Sequence, residues 1–345
     1  MPSSFRNEFY KGARRKRRYF EGWYFKQVSA DRSEVWSFIP GISRGEKKDD
    51  GYSFVQAIEG RSGRTWWFQH PLADFSASAD RLEIRVGNSR FSESGIILDL
   101  EGEEGRFQGE LGFGPLTGLP PRFLWPGVMG PFSFVPFMQC RHGLVSLNHG
   151  VAGGFQFEGR RVEMGRALGI AGGRGYIEKD WGSSMPSRWI WMQSNNFDAE
   201  GDSFMLSIAD IPWLGSSFTG FLCVGSLGGR ALREATYTGA RLEDFRLEDG
   251  KVSLAICRGR ARLEVRASRS RGGLLRAPVK GLLTRRISES VDAAIGIRWT
   301  DRGRLLFEGE AEGAGLELVG DARFLFEREK AYRSAGLSAD PMRFE

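Results

Sequence analysis

One pattern recurs along the whole chain: short runs in which apolar and polar residues alternate. Leu82, Ile84 and Val86 alternate with Glu83 and Arg85. Phe107, Leu111 and Phe113 are spaced by glycines and polar residues, and Val252, Leu254 and Ile256 repeat the pattern, followed by Leu263 and Val265. Ile295, Ile297 and Trp299, then Leu305 and Phe307, then Leu316 and Leu318 complete it. A period of two gives a strand one buried and one exposed face. Turn signals such as Glu158-Gly159, Glu200-Gly201, Asp249-Gly250 and Asp301-Arg302-Gly303 separate the runs. Acidic-glycine pairs tolerate the positive φ of tight hairpins, so the reading is antiparallel hairpins in an all-β fold, stacked or closed to hide their edges. Composition agrees: 47 glycines in 345 residues serve the turns, while 26 Phe and 10 Trp supply a core too large for a disordered chain. Helix is expected in two places only, Phe326–Ala335 and Leu283–Ala294.

The length suits two domains, with a seam expected near residue 170. The glycine-rich stretch Gly169–Gly175 at that seam lacks the Lys-Ser/Thr of a phosphate loop, which excludes nucleotide binding by that route. Cys140, Cys223 and Cys257 are too few and too scattered for a disulfide framework or a zinc site. The first residues carry no apolar signal-peptide core, and no stretch is long and apolar enough for a spanning helix, so a cytoplasmic protein is expected. The formal net charge is +6, and Arg14-Arg15-Lys16-Arg17-Arg18 is the dense basic run. It suits a solvated tail or anionic lipid; no nucleic-acid-binding motif accompanies it, so nucleic acid is not expected as a partner. From Pro115 to Met138 six prolines break an apolar stretch whose only charge is Arg122. Such a loop roofs a pocket, touches a membrane surface, or packs between two sheets.

Three clusters carry residues suited to chemistry. In Tyr19–Lys26, strand geometry puts Glu21, Trp23 and Phe25 on one face and Phe20, Tyr24 and Lys26 on the other. Glu21 among aromatics reads as a raised-pKa acid or as the partner of an arginine. His142 follows the proline-rich loop and suits either proton transfer or a hydrogen-bonded structural role; His149, seven residues on, falls on the opposite face of an ideal strand, which weakens a shared metal site. In the third cluster Glu178 and Asp180 share a face, where two carboxylates repel and one should hold its proton. Trp181 follows, and Trp189, Trp191, Gln193 and Asn195 alternate further on, apolar at one end and hydrogen-bonding at the other. No nucleophile elbow, zinc motif or dinucleotide fingerprint is present, so no cofactor and no metal are expected.

Four ordered motifs carry a family resemblance: Phe20–Lys26, Pro126–His142, Glu178–Gly182 with Trp189–Asn195, and Ala277–Gly281 running on to Ala294. In these the chain resembles the tocopherol cyclase family, which is similar in fold to carotenoid hydratases and lipocalin-like Diels-Alderases. The resemblance implies two lipocalin-like (calycin-type) antiparallel β-barrel domains, over 18–170 and 171–330, between the basic tail at 1–17 and a C-terminal tail at 331–345. It implies cofactor-independent, acid-catalysed ring closure of a prenylated quinol or related isoprenoid lipid. Glu178 or Asp180 would donate the proton and His142 assist. Glu21, Trp23, Tyr24, Trp181, Trp189, Trp191, Gln193 and Asn195 would bind the substrate. Two alternatives stand beside it: a carrier of an apolar small molecule, and a hydratase or isomerase of a terpenoid. Peripheral contact with a membrane is compatible with each.

Overall fold

The computed structural model describes residues 7–47, 49–120, 127–168, 172–213 and 216–327. The all-β reading holds, in two antiparallel sheets. The first contains β1 (Tyr19–Val28), β2 (Val35–Arg44), β3 (Tyr52–Glu59), β4 (Thr65–Pro71), β5 (Phe75–Ala77), β6 (Glu83–Val86), β7 (Ser89–Ser92), β8 (Gly95–Gly102), β9 (Gly105–Phe113), β10 (Cys140–Phe157), β11 (Arg160–Gly165) and β12 (Gly173–Gly182). The second contains β13 (Trp189–Ser194), β14 (Ser203–Trp213), β15 (Ser216–Leu227), β16 (Arg230–Ala235), β17 (Arg241–Glu248), β18 (Lys251–Arg258), β19 (Ala261–Ser268), β20 (Gly273–Val279), β21 (Leu282–Asp301) and β22 (Arg304–Val319).

The first sheet runs in the order β4-β3-β2-β1-β12-β10-β9-β8-β7-β6-β5, with β11 paired to β10. It rolls over itself, so that rings from β2 and β4 meet rings from β9 and β10. Trp36 lies edge-on to Phe107, Phe155 and Phe157 at 5.7, 5.3 and 5.3 Å, and Trp66 meets Phe157 at 4.8 Å. Edge-to-face rings add to the burial energy, and here they fill the interior of the roll. Fully buried Trp23, Phe25, Phe38 and Ile177 belong to the same core.

The second sheet runs β16-β15-β14-β13-β22-β21-β19-β18-β17, with β20 paired to β21. Its core is mainly aliphatic, with Phe197, Phe204 and Phe221 among it: Ile190, Met192, Leu206, Ile208, Leu254, Ile256, Val265, Ile295 and Leu316 come from alternating positions, as the sequence pattern requires. No helix among the described residues is long and apolar enough to cross a membrane.

Three expectations change. Leu283–Ala294 is strand, part of β21, because every second position faces inward: Leu283, Ile287, Glu289, Val291 and Ala293 are buried. Pairing with β19 and β22 overrides the weak helical propensity of that run. The C-terminal helix begins earlier than expected and covers 322–327; the remainder of Phe326–Ala335 lies outside the described residues. The chain divides into two compact units whose main boundary falls between Met185 and Pro186, with the short segment Phe134–Met138 clustering with the second unit, where the sequence suggested a seam near residue 170. The reason is β12, which pairs with both β1 and β10 and so belongs to the first sheet. The hairpin segment Gly273–Ile287 also clusters with the first unit, where the Gln56 amide donates to the Arg276 carbonyl at 3.0 Å and the Ser43 hydroxyl to the Gly281 carbonyl at 2.6 Å. The three cysteines are free thiols.

Candidate active site

β12 positions the candidate residues because it is a central strand with two usable faces. On one face stand Tyr176, Glu178 and Asp180. Across the ladders, Tyr24 of β1 lies opposite Glu178 and His142 of β10 lies opposite Asp180. The His142 ring sits between the two carboxylates, with Nδ1 at 3.0 Å from Asp180 Oδ1 and Nε2 at 3.5 Å from Glu178 Oε2. The Tyr176 hydroxyl donates a short hydrogen bond to the same Glu178 oxygen. The cluster is mostly shielded, the side chains of Glu178, His142 and Asp180 being 8%, 13% and 21% exposed. Asp180 is the most open of the three, which decides where a substrate can reach. Beside it the floor is clear: Gly22 faces Asp180 across β1–β12, and a Cβ placed there meets nothing closer than 3.8 Å.

The expected repulsion between Glu178 and Asp180 is relieved by an intervening cation. Burial pulls the His142 imidazole down, but the Glu178 and Asp180 carboxylates outweigh it and raise it from 6.5 to about 9. The ring therefore favours the imidazolium form at neutral pH. A stability consequence follows from the sign of this shift. A proton held more tightly in the folded chain stabilises it fully below pH about 6.5, and that contribution is lost as pH rises through about 9. Urea midpoints across that window should fall more for the wild type than for His142→Gln; parallel profiles would contradict the assignment.

His142, Glu178 and Asp180 are also the one group among the described residues with the spacing to hold a metal ion, their ligand atoms lying within 4.8 Å of one another. As arranged, both ring nitrogens are turned to carboxylates, which suits an imidazolium. His149 lies on the opposite face, as its spacing suggested. It accepts from or donates to the Ser146 hydroxyl at 3.0 Å, packs on Phe113 at 4.6 Å, and is pushed down to about 3 by burial, so it is a neutral core residue.

The other face of β12 holds Lys179 and Trp181, with Trp23 and Glu21 of β1 opposite them. Glu21 meets neither solvent nor an arginine. Its carboxylate pairs with Lys179 at 2.5 Å, and both side chains are 0% exposed. The Lys179 ammonium lies between the rings of Trp23 and Trp181, 4.7 and 4.9 Å from their centroids, and donates to the Phe9 carbonyl at 2.6 Å. Burial lowers Lys179 to about 8 although Glu21 opposes the shift. Glu21 also accepts from the Tyr19 hydroxyl at 2.5 Å and from the Lys11 backbone N–H at 2.8 Å. This is a structural anchor for the N-terminal segment. Glu21, Trp23 and Trp181 thus stand apart from the acid cluster.

Trp189, Trp191, Gln193 and Asn195 belong to the second unit. They are buried, and they lie on the sheet face away from the Ile190 and Met192 core. The Trp189 indole donates to the Glu317 carboxylate, and the Trp191 ring covers Gly315. Gln193 is 0% exposed, yet neither amide atom has a hydrogen-bond partner. Partnerless buried amides are rare and mark a place for a polar ligand atom or water. Sequence reading missed Tyr176, the Lys179 anchor, and the pair Glu289 and Glu317, which face one another across β21–β22. Tyr176 was legible in principle, since it precedes Glu178 at the same-face spacing; Glu289 carried no signal inside a run read as helix. Pro126 lies outside the described residues, as do Gly169 to Ala171.

No curated protein matches the chain significantly. Among solved structures it is similar to a protein of Nitrosomonas europaea described as "a putative AttH", at 11% identity, covering 86% of this chain and 92% of that one with a TM-score of 0.49. A family model described as "Tocopherol cyclase-like" matches residues 125–211. The resemblance drawn from the motifs holds there: the chain is similar to tocopherol cyclase-like proteins in the stretch that supplies His142, Glu178 and Asp180.

Proposed function

We propose that the protein is an acid–base catalyst that protonates an isoprenoid double bond and lets a phenol oxygen capture the resulting cation. The observation that carries this reading is the His142 ring held between Glu178 and Asp180, 3.5 and 3.0 Å from their oxygens. The cluster holds one mobile proton and two carboxylates, a net charge of minus one that favours a nearby carbocation. The proton passes from His142 to Asp180 through the 3.0 Å contact, and Asp180, the most exposed member, hands it on to the alkene carbon as the bond to the carbon forms, while Glu178, tied to Tyr176, keeps the ring aligned. Ring closure releases the phenol proton, which returns to the cluster, so the reaction is mass-neutral and consumes nothing. The floor at Gly22 gives the substrate its approach. In the second unit, Trp189 and Trp191 followed by the partnerless Gln193 amide form a separate face suited to a long apolar ligand with a polar head, and Asn195 extends it. The filled aromatic interior of the first unit argues against a simple carrier that stores its ligand inside that roll.

The direct test is incubation with a prenylated hydroquinone, following a product of unchanged mass and altered absorbance. A hydrated product, heavier by one water, would favour the hydratase reading, and unchanged ligand recovered from the protein would favour the carrier. A second test uses the open floor. Gly22→Ala adds a Cβ that meets nothing closer than 3.8 Å, so the melting temperature should stay within a few degrees while kcat/KM falls about 10- to 100-fold. Unchanged kinetics would place the substrate elsewhere.

A further inference from the structure

Residues 7–12 lie as a strap across the first sheet, within the first unit. Four consecutive residues of it are tied by separate hydrogen bonds. The Glu8 carbonyl accepts from the Trp23 indole at 3.1 Å, and the Phe9 carbonyl accepts from the Lys179 ammonium at 2.6 Å. The Tyr10 N–H donates to the Ser78 carbonyl at 3.0 Å, and the Lys11 N–H donates to the Glu21 carboxylate at 2.8 Å. Phe9 is buried, and the Tyr10 ring lies edge-on to Phe75 at 5.5 Å. Asn7, at the start of the strap, fills side-chain space that two glycines leave empty. A Cβ on Gly143 would fall 2.7 Å from Asn7 Cβ, and one on Gly127 would collide with the Asn7 amide nitrogen. Both glycines belong to segments that hold His142. Gly143 follows it on β10 and stands opposite Lys179, on the face turned away from the acids. Gly127 has a φ of +62°, which glycine adopts without strain, and it precedes by two residues Met129, whose sulfur accepts the His142 N–H at 3.2 Å. Asn7 therefore supports the His142 backbone from the far side of the sheet.

We propose that residues 7–12 position the acid cluster, with Asn7 as the positioning residue for His142 and the Glu21–Lys179 pair as the anchor of the strap. Successive residues of a strand face opposite ways, so a contact that fixes Gly143 on one face also fixes His142 on the other. That support matters at this point of β10, because its ladder with β12 shifts between Leu144 and Ser146, directly after the pair. A shift of this kind leaves the strand locally less well paired. The His142 ring has to meet two carboxylates at once, at 3.0 and 3.5 Å, and a displacement of about 1 Å breaks a contact of that length. The effect of the strap on turnover rests on the proposed reaction; its hold on His142 does not.

The hold is read without turnover, by NMR of the His142 imidazole in the full-length protein. The chain has three histidines, and His142→Gln identifies the signal by its loss. In the wild type this ring should titrate near 9. Asn7→Gly empties the space at both glycines and should lower that midpoint by about one pH unit, as contacts to the carboxylates lengthen. Tyr10→Ala loosens the strap at its middle and should lower it by roughly half as much, with the His149 signal unmoved in both. If Asn7→Gly does not fold, Tyr10→Ala decides alone. A strap with a merely structural role would lower the melting temperature and leave the His142 midpoint in place, and that result overturns the proposal. With a prenylated hydroquinone as substrate, Asn7→Gly should reduce kcat about 10-fold and leave KM within about two-fold. An unchanged kcat also overturns the positioning role. Wild-type protein that converts nothing refutes the reaction instead, and the NMR result then stands by itself for or against the strap.

Discussion

Asp180→Asn and Glu178→Gln should each lower turnover of a prenylated hydroquinone by about 100- to 10,000-fold, the range in which a positioned acid or base contributes. The larger loss is expected at Asp180, which is the more exposed carboxylate and the one in hydrogen-bonding contact with His142. The double variant should be little worse than Asp180→Asn alone, because the groups share one proton and act as a unit. His142→Gln should fall in the same range and should also remove the alkaline limb of the rate profile, which for the wild type lies near the raised value of about 9. If both carboxamide variants stay within a few-fold of the wild type while remaining folded, the proton comes from elsewhere and the proposed reaction is wrong.

The second large effect concerns stability. Lys179→Met leaves the Glu21 carboxylate buried without its cation and should destabilise the chain by about 3–5 kcal/mol. Glu21→Gln should do comparable harm, since it strands the ammonium between Trp23 and Trp181. The double variant Glu21→Gln/Lys179→Met should recover most of the loss, because a buried pair breaks even against a neutral replacement far more readily than against half of itself. Chemical denaturation of the four proteins closes this cycle. Additive losses in the double variant would show that each side chain acts through separate contacts, such as the Phe9 carbonyl for Lys179 and the Lys11 N–H for Glu21.

Much of the architecture was legible because strand alternation is a local signal. Leu82, Ile84 and Val86 face the core in the order in which they alternate. The face assignments of Glu178 with Asp180 and of Glu21 with Trp23 were also legible, since they follow from parity alone. Parity is silent on partners. That His142 lands opposite Asp180 depends on the register of β10 against β12, and that register shifts twice before His149. Lys179 as the partner of Glu21 is likewise set by a long-range ladder. The run Leu283–Ala294 misled for a different reason: Glu289 occupies a buried position where the alternation calls for an apolar residue. The seam moved because no composition shift marks a strand that joins two distant segments.

That joining strand has a consequence for how the protein is made. β1 acquires β2 as a neighbour almost at once, but its other edge stays open until β12 leaves the ribosome, and β10 waits for the same strand. Pairings so distant in sequence form slowly, and open edges recruit other chains in the meantime. A message cut short before the codons of β12 would therefore yield more than an inactive fragment: it would yield one with two sticky borders. The strand that carries the acids is also the one that seals the nascent sheet.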